Sequence, residues 1–373
     1  MQIQLGVCGF LLAAMSFSET GSYTALDLGL VRPRVGGIVR GLNEAGEVVG
    51  GAALFGDGHR AFILKGTALM KLEDFGGSDW GSALAVNNHG VVVGASNQAT
   101  ALRAFMWTSG GGIRDLGTLP GDSGSEAFGI NNLGQAVGYS AGPGGIQAVR
   151  WTSDGSLQGL GALREGENSR ALAINETGDT VGSSTGSSGR RAFLWTADRG
   201  MEDLGTLPGH TESEALDVSD HEQVVGYSGM TSQSRAFIWT RRDGMQDLGT
   251  LPGGNHSRAL AINNRSEVVG NSESSFGGRA FLWQQERGMQ DLNALIDGRS
   301  GFVLVEAVGV NDEGVVAALG IDSDGHENGC SGACACSVPN QGACQGTCRC
   351  SSNASGGAHH DVPFRLFLLR PSR

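Results

Sequence analysis

The chain repeats a unit of 44 residues. A tryptophan, a glycine and an asparagine each recur at this spacing, at three different places in the unit. They are Trp107, Trp151, Trp195, Trp239 and Trp283; Gly50, Gly94, Gly138, Gly182, Gly226 and Gly270; and Asn43, Asn87, Asn131, Asn175 and Asn263. A period of about 40–50 residues is typical of propeller blades or stacked solenoid units. The fold is therefore expected to be built from copies of one small unit.

Each unit contains four short segments with the alternation of half-buried strands. Their patterns are DLGTL, SxALAIN, VVG and RAFxW, as at residues 203–207, 169–175, 224–226 and 235–239. Asn and Gly between the second and third segments favour a type I turn. Seven copies predict an all-β, seven-bladed β-propeller of four-stranded antiparallel blades, with SxALAIN innermost and DLGTL outermost. An open solenoid is the alternative, although it would need polar caps that the sequence lacks.

The two ends of the repeat region complement each other. The region begins with a first segment at residues 23–29 and ends with a fourth segment at residues 365–369. Neither end is a whole unit, but together they complete the seventh. The N-terminal strand is therefore predicted to pair with the C-terminal strand, which closes the ring and removes two exposed sheet edges.

Composition and charge exclude some classes of partner. The chain has 26 basic and 38 acidic residues and a net charge of -12, which disfavours nucleic acid and anionic membrane surfaces. No apolar run is long enough for a transmembrane helix. Residues 5–17 form an apolar run of the length found in signal peptides, although residues 1–4 carry no Lys or Arg. We expect a signal peptide at 1–18, one propeller domain at 19–373, and a secreted, extracellular or periplasmic protein. An inner strand or a misassigned start is the alternative.

The units RAFLWTADRGMEDLGTLPG and SRALAINETGDTVGSS resemble the bacterial HAF repeat, which is named for His-Ala-Phe. In this chain the His position is mostly Arg. The resemblance covers residues 23–371 apart from one insert. It implies an exported, repeat-built protein, and it supplies neither a reaction nor a catalytic residue.

Arg and Asp recur twelve residues apart, across the predicted hairpin between the fourth and first segments. One unit has lost both, with Gln147 and Gly159 in their places. Joint loss favours a mutual contact, because an unpaired buried Arg would be costly. A ring of ligand-binding Arg is the alternative. The predicted structural pairs are Arg103 with Asp115, Arg191 with Asp203, Arg235 with Asp247, Arg279 with Asp291, and Arg365 with Asp27.

The longer loops define a candidate binding face. Alternating strand direction brings the Leu-Pro-Gly loops and the variable Ser/Gly loops to one face, called here the Pro-Gly face. The other face has only tight turns. Function on rigid scaffolds tends to lie on longer loops. The candidate binding residues are therefore His59, His210, His256, Asp122 and Glu212. Ordinary solvated loop residues are the alternative reading.

A cysteine-rich insert at residues 321–362 interrupts the last unit. In an exported chain its six cysteines are expected to form three disulfides, because the insert lacks a hydrophobic core. A thiolate metal cluster is the alternative. The cysteines are Cys330, Cys334, Cys336, Cys344, Cys348 and Cys350. We expect no metal site and no cofactor.

The sequence contains no HExxH and no phosphate loop. The expected function is a binding or structural module that recognises an extracellular glycan or protein on the Pro-Gly face. The alternative is a propeller enzyme, a hydrolase or lyase acting on an extracellular polymer. An enzyme would break the repeat with His, Asp or Glu at the channel mouth, with perturbed pKa values.

Overall fold

A computed structural model describes residues 22–31, 38–52, 58–76, 80–98, 101–187, 189–230, 233–296, 301–322 and 364–372. The fold is all-β. Seven four-stranded antiparallel sheets form a seven-bladed β-propeller, which confirms the predicted fold class. In the described residues no helix is both long and apolar enough to cross a membrane.

Each blade is one sheet, with its strands in sequence order except in the seventh. The first strand of the chain, β1 (Tyr23–Val31), belongs to blade seven. Blades one to four contain, four strands each, β2 (Ile38–Leu42), β3 (Val48–Ala52), β4 (Arg60–Lys65) and β5 (Ala68–Lys71); β6 (Gly81–Val86), β7 (Val92–Gln98), β8 (Ala101–Thr108) and β9 (Gly112–Asp115); β10 (Gly124–Ile130), β11 (Ala136–Gly142), β12 (Gly145–Trp151) and β13 (Leu157–Gly161); β14 (Asn168–Ile174), β15 (Thr180–Gly186), β16 (Gly189–Thr196) and β17 (Gly200–Asp203).

Blades five and six contain β18 (Ser213–Val218), β19 (Val224–Ser228), β20 (Arg235–Thr240) and β21 (Gly244–Gly249); then β22 (Ser257–Ile262), β23 (Val268–Ser274), β24 (Gly277–Gln284) and β25 (Gly288–Asp291). A short 3-10 helix, Leu292–Ala294, leads to blade seven. Blade seven contains β26 (Phe302–Val310), β27 (Val316–Asp322), β28 (Phe364–Pro371) and, from the other end of the chain, β1 (Tyr23–Val31).

The first strand of each blade is the innermost, as predicted for the SxALAIN segment. The seven inner strands are neighbours around the ring and surround a central channel. The outermost strands are β5, β9, β13, β17, β21, β25 and β1, and the DLGTL segments begin at or within such strands, as at Asp115, Asp203 and Asp247. Because the first strand of each blade is innermost, some of its side chains line the channel.

The ring closes between the two ends of the chain. β1 pairs antiparallel with β28, with Ala25 opposite Leu369 and Asp27 opposite Phe367. Arg365 also donates a hydrogen bond to the Asp27 carboxylate. The predicted closure is therefore confirmed, and it leaves blade seven with four strands like the others.

Repeated glycines allow the inner and second strands of blades two to six to approach closely. A Cβ at Gly138 would collide with the Glu126 carbonyl oxygen, and one at Gly182 with the Arg170 carbonyl oxygen. This explains why the Gly of each VVG segment keeps the 44-residue period. Between the blades lie fully buried rings, namely Phe62, Phe105, Phe193, Phe237, Phe281 and Phe367.

Polar side chains link successive blades on the tight-turn face. Asn43 Nδ2 donates to the Asn87 carbonyl at 3.0 Å, and the same bond recurs from Asn87 and Asn131. Asn311 Nδ2 donates back to the Asn43 carbonyl at 3.3 Å, across the closure. These bonds satisfy buried amides, as the packed turns require.

The Arg and Asp pairs across the outer hairpins are in contact. The N–O distance is 3.0 Å for Arg103 with Asp115, and Gly117 N donates to the same carboxylate at 2.8 Å. Because the pairs are partly exposed, each contributes only about 0–1 kcal/mol. The other contacts are Arg191 with Asp203 at 3.3 Å, Arg235 with Asp247 at 3.1 Å, Arg279 with Asp291 at 3.9 Å, and Arg365 with Asp27.

Two expectations lie outside the described residues. The signal peptide at 1–18 is one. The other is the cysteine-rich insert, in which the described part stops at residue 322 and resumes at 364. The disulfides and the export signal therefore stay predictions.

The turns between inner and second strands require a left-handed residue. Gly46 and Gly134 both have φ of 74°, whereas Glu222 and Ser266 adopt φ of 55° and 61° at the equivalent positions.

Substituting Gly46→Ala should therefore destabilise the protein by about 1 kcal/mol through backbone strain alone, since nothing lies within 4 Å of the added Cβ. Urea denaturation measures this difference. Gly110→Ala, which also meets no neighbour, is the control and should be neutral; equal costs would contradict the strain argument.

Candidate functional site

The central channel contains a cavity of about 460 Å³, walled by the inner strands of all seven blades. This volume lies in the range of sites for small ligands. Each inner strand runs from the Pro-Gly face towards the Asn of the tight turn. Residues early in these strands therefore lie nearer the Pro-Gly face, and later ones lie deeper in the channel.

An apolar girdle surrounds the cavity three residues before the turn Asn, or before Ser219 in blade five. Six blades place an apolar side chain there, and blade one places Arg40. Arg40 is thus the exception to an apolar wall. The girdle residues are Leu84, Phe128, Leu172, Leu216, Leu260 and Val308.

A charged arc lies two residues earlier, nearer the Pro-Gly face. Blades three to seven carry alternating charges at this register, whereas blade two carries Ser82. The charged arc consists of Glu126, Arg170, Glu214, Arg258 and Glu306. The sign of the charge alternates from each blade of the arc to the next, so this position does not follow the repeat.

Second-strand side chains connect the members of the arc. Tyr139 donates to Glu126 at 3.1 Å, and the Arg170 guanidinium lies 5.2 Å from the Tyr139 ring centre. In the same way Tyr227 donates to Glu214 at 2.5 Å. The Arg258 guanidinium lies 4.5 Å from the Tyr227 ring centre, within cation–π range. Glu126, Arg170, Glu214 and Arg258 are therefore held in place before any ligand arrives.

Two carboxylates of the arc are poorly solvated. Burial raises the pKa of Glu126, against the hydrogen bond from Tyr139 and the charges of Arg170 and Arg40. Burial also raises the pKa of Glu306, against the charges of Arg40 and Arg258. Both residues line the cavity. A ligand that donates to these carboxylates would replace solvation that they lack.

Asp217 is a third acid in the channel wall. Six blades have Gly or Ala at its register, two residues before the turn, because the inner strands approach closely there. Asp217 accepts hydrogen bonds from Ile262 N and Val218 N, both at 2.9 Å. Burial nevertheless raises its pKa to about 6. The bond to Ile262 links blades five and six, where Ser219 replaces the linking Asn.

The binding residues predicted from sequence lie in the junctions between blades. Asp122 accepts from Ser140 Oγ at 2.6 Å, and His210 Nδ1 lies 3.2 Å from Ser228 Oγ. His256 Nδ1 lies 2.8 Å from Ser234 Oγ.

The other two candidates also lie at junctions. The His59 ring stacks on Trp80 at 5.6 Å, and the Glu212 carbonyl accepts from Ser228 Oγ. Within the described residues none of the five lines the channel cavity, although Trp80 does. Their role in binding stays a prediction. The arc residues were missed because they vary between units, and aligning the units at the turn Asn is the signal that finds them.

The described residues contain no group of three or more His, Cys, Asp or Glu arranged to hold a metal ion. The site in the described part of the chain therefore consists of carboxylates, guanidinium groups and an apolar wall.

No family model matches the chain, and no curated protein sequence matches it. Several solved propellers are similar in fold. A streptogramin B lyase structure aligns over 80% of this chain and 94% of that chain, with 12% identity and a TM-score of 0.54. Virginiamycin B lyase from Staphylococcus aureus aligns over 79% of this chain and 95% of that chain, with 12% identity and a TM-score of 0.54. A catalytically inactive form of that lyase with quinupristin gives the same coverage and identity, and a TM-score of 0.52. At this identity the likeness concerns the fold alone.

The raised pKa of Asp217 predicts a pH-dependent stability. The folded state keeps a proton on Asp217 up to a pKa of about 6, above its ordinary 3.8, so stability is lost as pH rises through this window. Asp217→Ala should remove that loss. We expect the stability of wild type relative to the variant to fall by about 1 kcal/mol from roughly pH 5 to pH 7.5.

Urea denaturation at the two pH values measures the difference. Other carboxylates contribute equally to both proteins and cancel. An unchanged difference would show that Asp217 has an ordinary pKa.

Proposed function

We propose that this protein is an exported binding module of the HAF-repeat type. It takes an extracellular ligand, a glycan or a protein segment, into the central channel from the Pro-Gly face. The propeller supplies a rigid ring. Export is supported by the apolar run at residues 5–17 and by the repeat resemblance.

One observation carries the proposal. Glu126, Glu306 and Arg40 break the repeat at positions that line the channel cavity. Residues that serve the repeat itself, such as the turn Asn and the packed Phe, are nearly uniform. Charged residues that break the repeat in the lining of a concave cavity, with poorly solvated carboxylates, are typical of a ligand site.

Catalysis on the same ligand is the second candidate. It is favoured by the raised pKa values of Glu126 and Glu306, since a carboxyl group with a raised pKa can act as an acid or a base near neutral pH. A hydrolase or a lyase acting on an extracellular polymer would suit an exported protein. Product formation from a bound polymer, lost in Glu126→Gln with binding retained, would establish it.

A channel-blocking variant tests the binding proposal. Leu172→Arg places an Arg at the register where blade one already has Arg40, so the backbone tolerates it. We expect binding to an array of oligosaccharides and peptides to fall by about tenfold or more, because the longer side chain extends into the cavity and places a charge on its apolar wall. Isothermal titration of each array hit measures the change.

Met230→Arg is the matched control. Met230 is 67% exposed in the loop after β19, on the Pro-Gly face but outside the cavity. Binding should be unchanged in this variant. A ligand that binds wild type and Leu172→Arg equally would place the site elsewhere.

A further inference from the structure

Two opposite charges without hydrogen-bond partners enter the cavity from neighbouring strands. Glu306 lies on β26 and Arg40 on β2, and these strands are adjacent across the ring closure. Within the described residues neither side chain makes a hydrogen bond or an ion pair closer than 4 Å. Other members of the arc are held by Tyr139, Tyr227 or Arg190. Glu306 and Arg40 are therefore the groups available to a ligand.

The surroundings of Glu306 and Arg40 determine how strongly each charge interacts with a ligand. The girdle residues across the ring from these strands are Phe128, Leu172 and Leu216, whose side chains offer no hydrogen bonds. Glu306 is half-buried, so its poorly solvated carboxylate interacts strongly with a complementary cation, whereas Arg40 lines the same cavity and is exposed.

This arrangement discriminates between kinds of ligand. A neutral sugar carries many hydroxyl groups that the apolar girdle cannot satisfy. A simple anion would meet Glu126 and Glu306, and a simple cation would meet Arg40. A ligand with both charges and an apolar body satisfies all three features of the cavity.

We propose that the channel binds zwitterionic amino acids or short peptides, with the ligand amine at Glu306, its carboxylate at Arg40 and its side chains on the apolar girdle. This inference rests on the proposed function, because it concerns the same channel, and it names the ligand class. The broader proposal allowed a protein segment as the ligand. In this narrower form the ligand is a short peptide with a free amine and a free carboxylate.

Capped dipeptides test the two charges separately on the wild-type protein. The probes are leucyl-leucine, its N-acetyl form, its amide, and the form capped at both ends, with the disaccharide cellobiose as a neutral polar probe. Isothermal titration at neutral pH should show binding of leucyl-leucine. Each single cap should weaken binding by about tenfold or more, because it removes one charge-assisted contact.

Two variants assign each contact. Glu306→Gln should abolish the preference for the free amine over the acetylated one. Arg40→Leu, which restores the residue found in four other blades, should abolish the preference for the free carboxylate over the amide. Glu165→Gln, at an exposed loop position, is the matched control and should change neither preference.

The outcomes separate the two proposals. Equal affinity for all four dipeptide forms would overturn the zwitterion assignment, whether or not the variants fold. If cellobiose binds wild type but not Leu172→Arg, and no dipeptide binds, the channel function stands and the ligand class is wrong. If every probe that binds is also bound by Leu172→Arg, or if no probe and no array ligand binds wild type, both proposals fail.

Discussion

The antiparallel pairing of β1 with β28 is the interaction on which the rest of the structure depends. It joins chain segments more than 330 residues apart, as in the bond between Arg365 and Asp27. Closure brings β26 against β2, and thus places Arg40 beside the blade that carries Glu306. Without it, two sheet edges would be exposed and blade seven would lack its outermost strand. The site therefore depends on ring closure, because the cavity is enclosed only when all seven blades form a complete ring.

Close packing divides each unit into fixed and variable positions. Gly138 and Gly182 have no room for a Cβ, and the Phe105 and Phe193 side chains are fully buried between blades. Substitution at such positions costs stability, so the repeat is uniform there. Channel-lining positions such as Glu126 and Arg40 border the cavity. They can differ from blade to blade without disturbing the ring, and that freedom is where a specific ligand site can arise.

The same division explains what could be predicted from the sequence. Period, turn residues and the incomplete ends were sufficient for the number of blades, the strand order and the closure, because packing enforces them in every unit. The channel site was not found, because its residues are those that do not repeat. The loop residues predicted from the sequence, such as His210 and His256, lie instead at the junctions between blades, where their side chains contact serines. Arg40 and Glu306 lie on neighbouring strands only because the ring closes, and the pattern of a single repeat unit does not show this.

Hydrogen exchange of the two terminal strands tests ring closure most directly. Mass spectrometry of the intact protein, followed by proteolysis, reports on peptides that cover β1 and β28. The account predicts that amides in both strands are protected to a similar degree as those of the interior blades, and that they become exposed together in one cooperative step. Rapid exchange throughout β1 and β28, with blades three to six still protected, would contradict a closed ring and the channel site built on it.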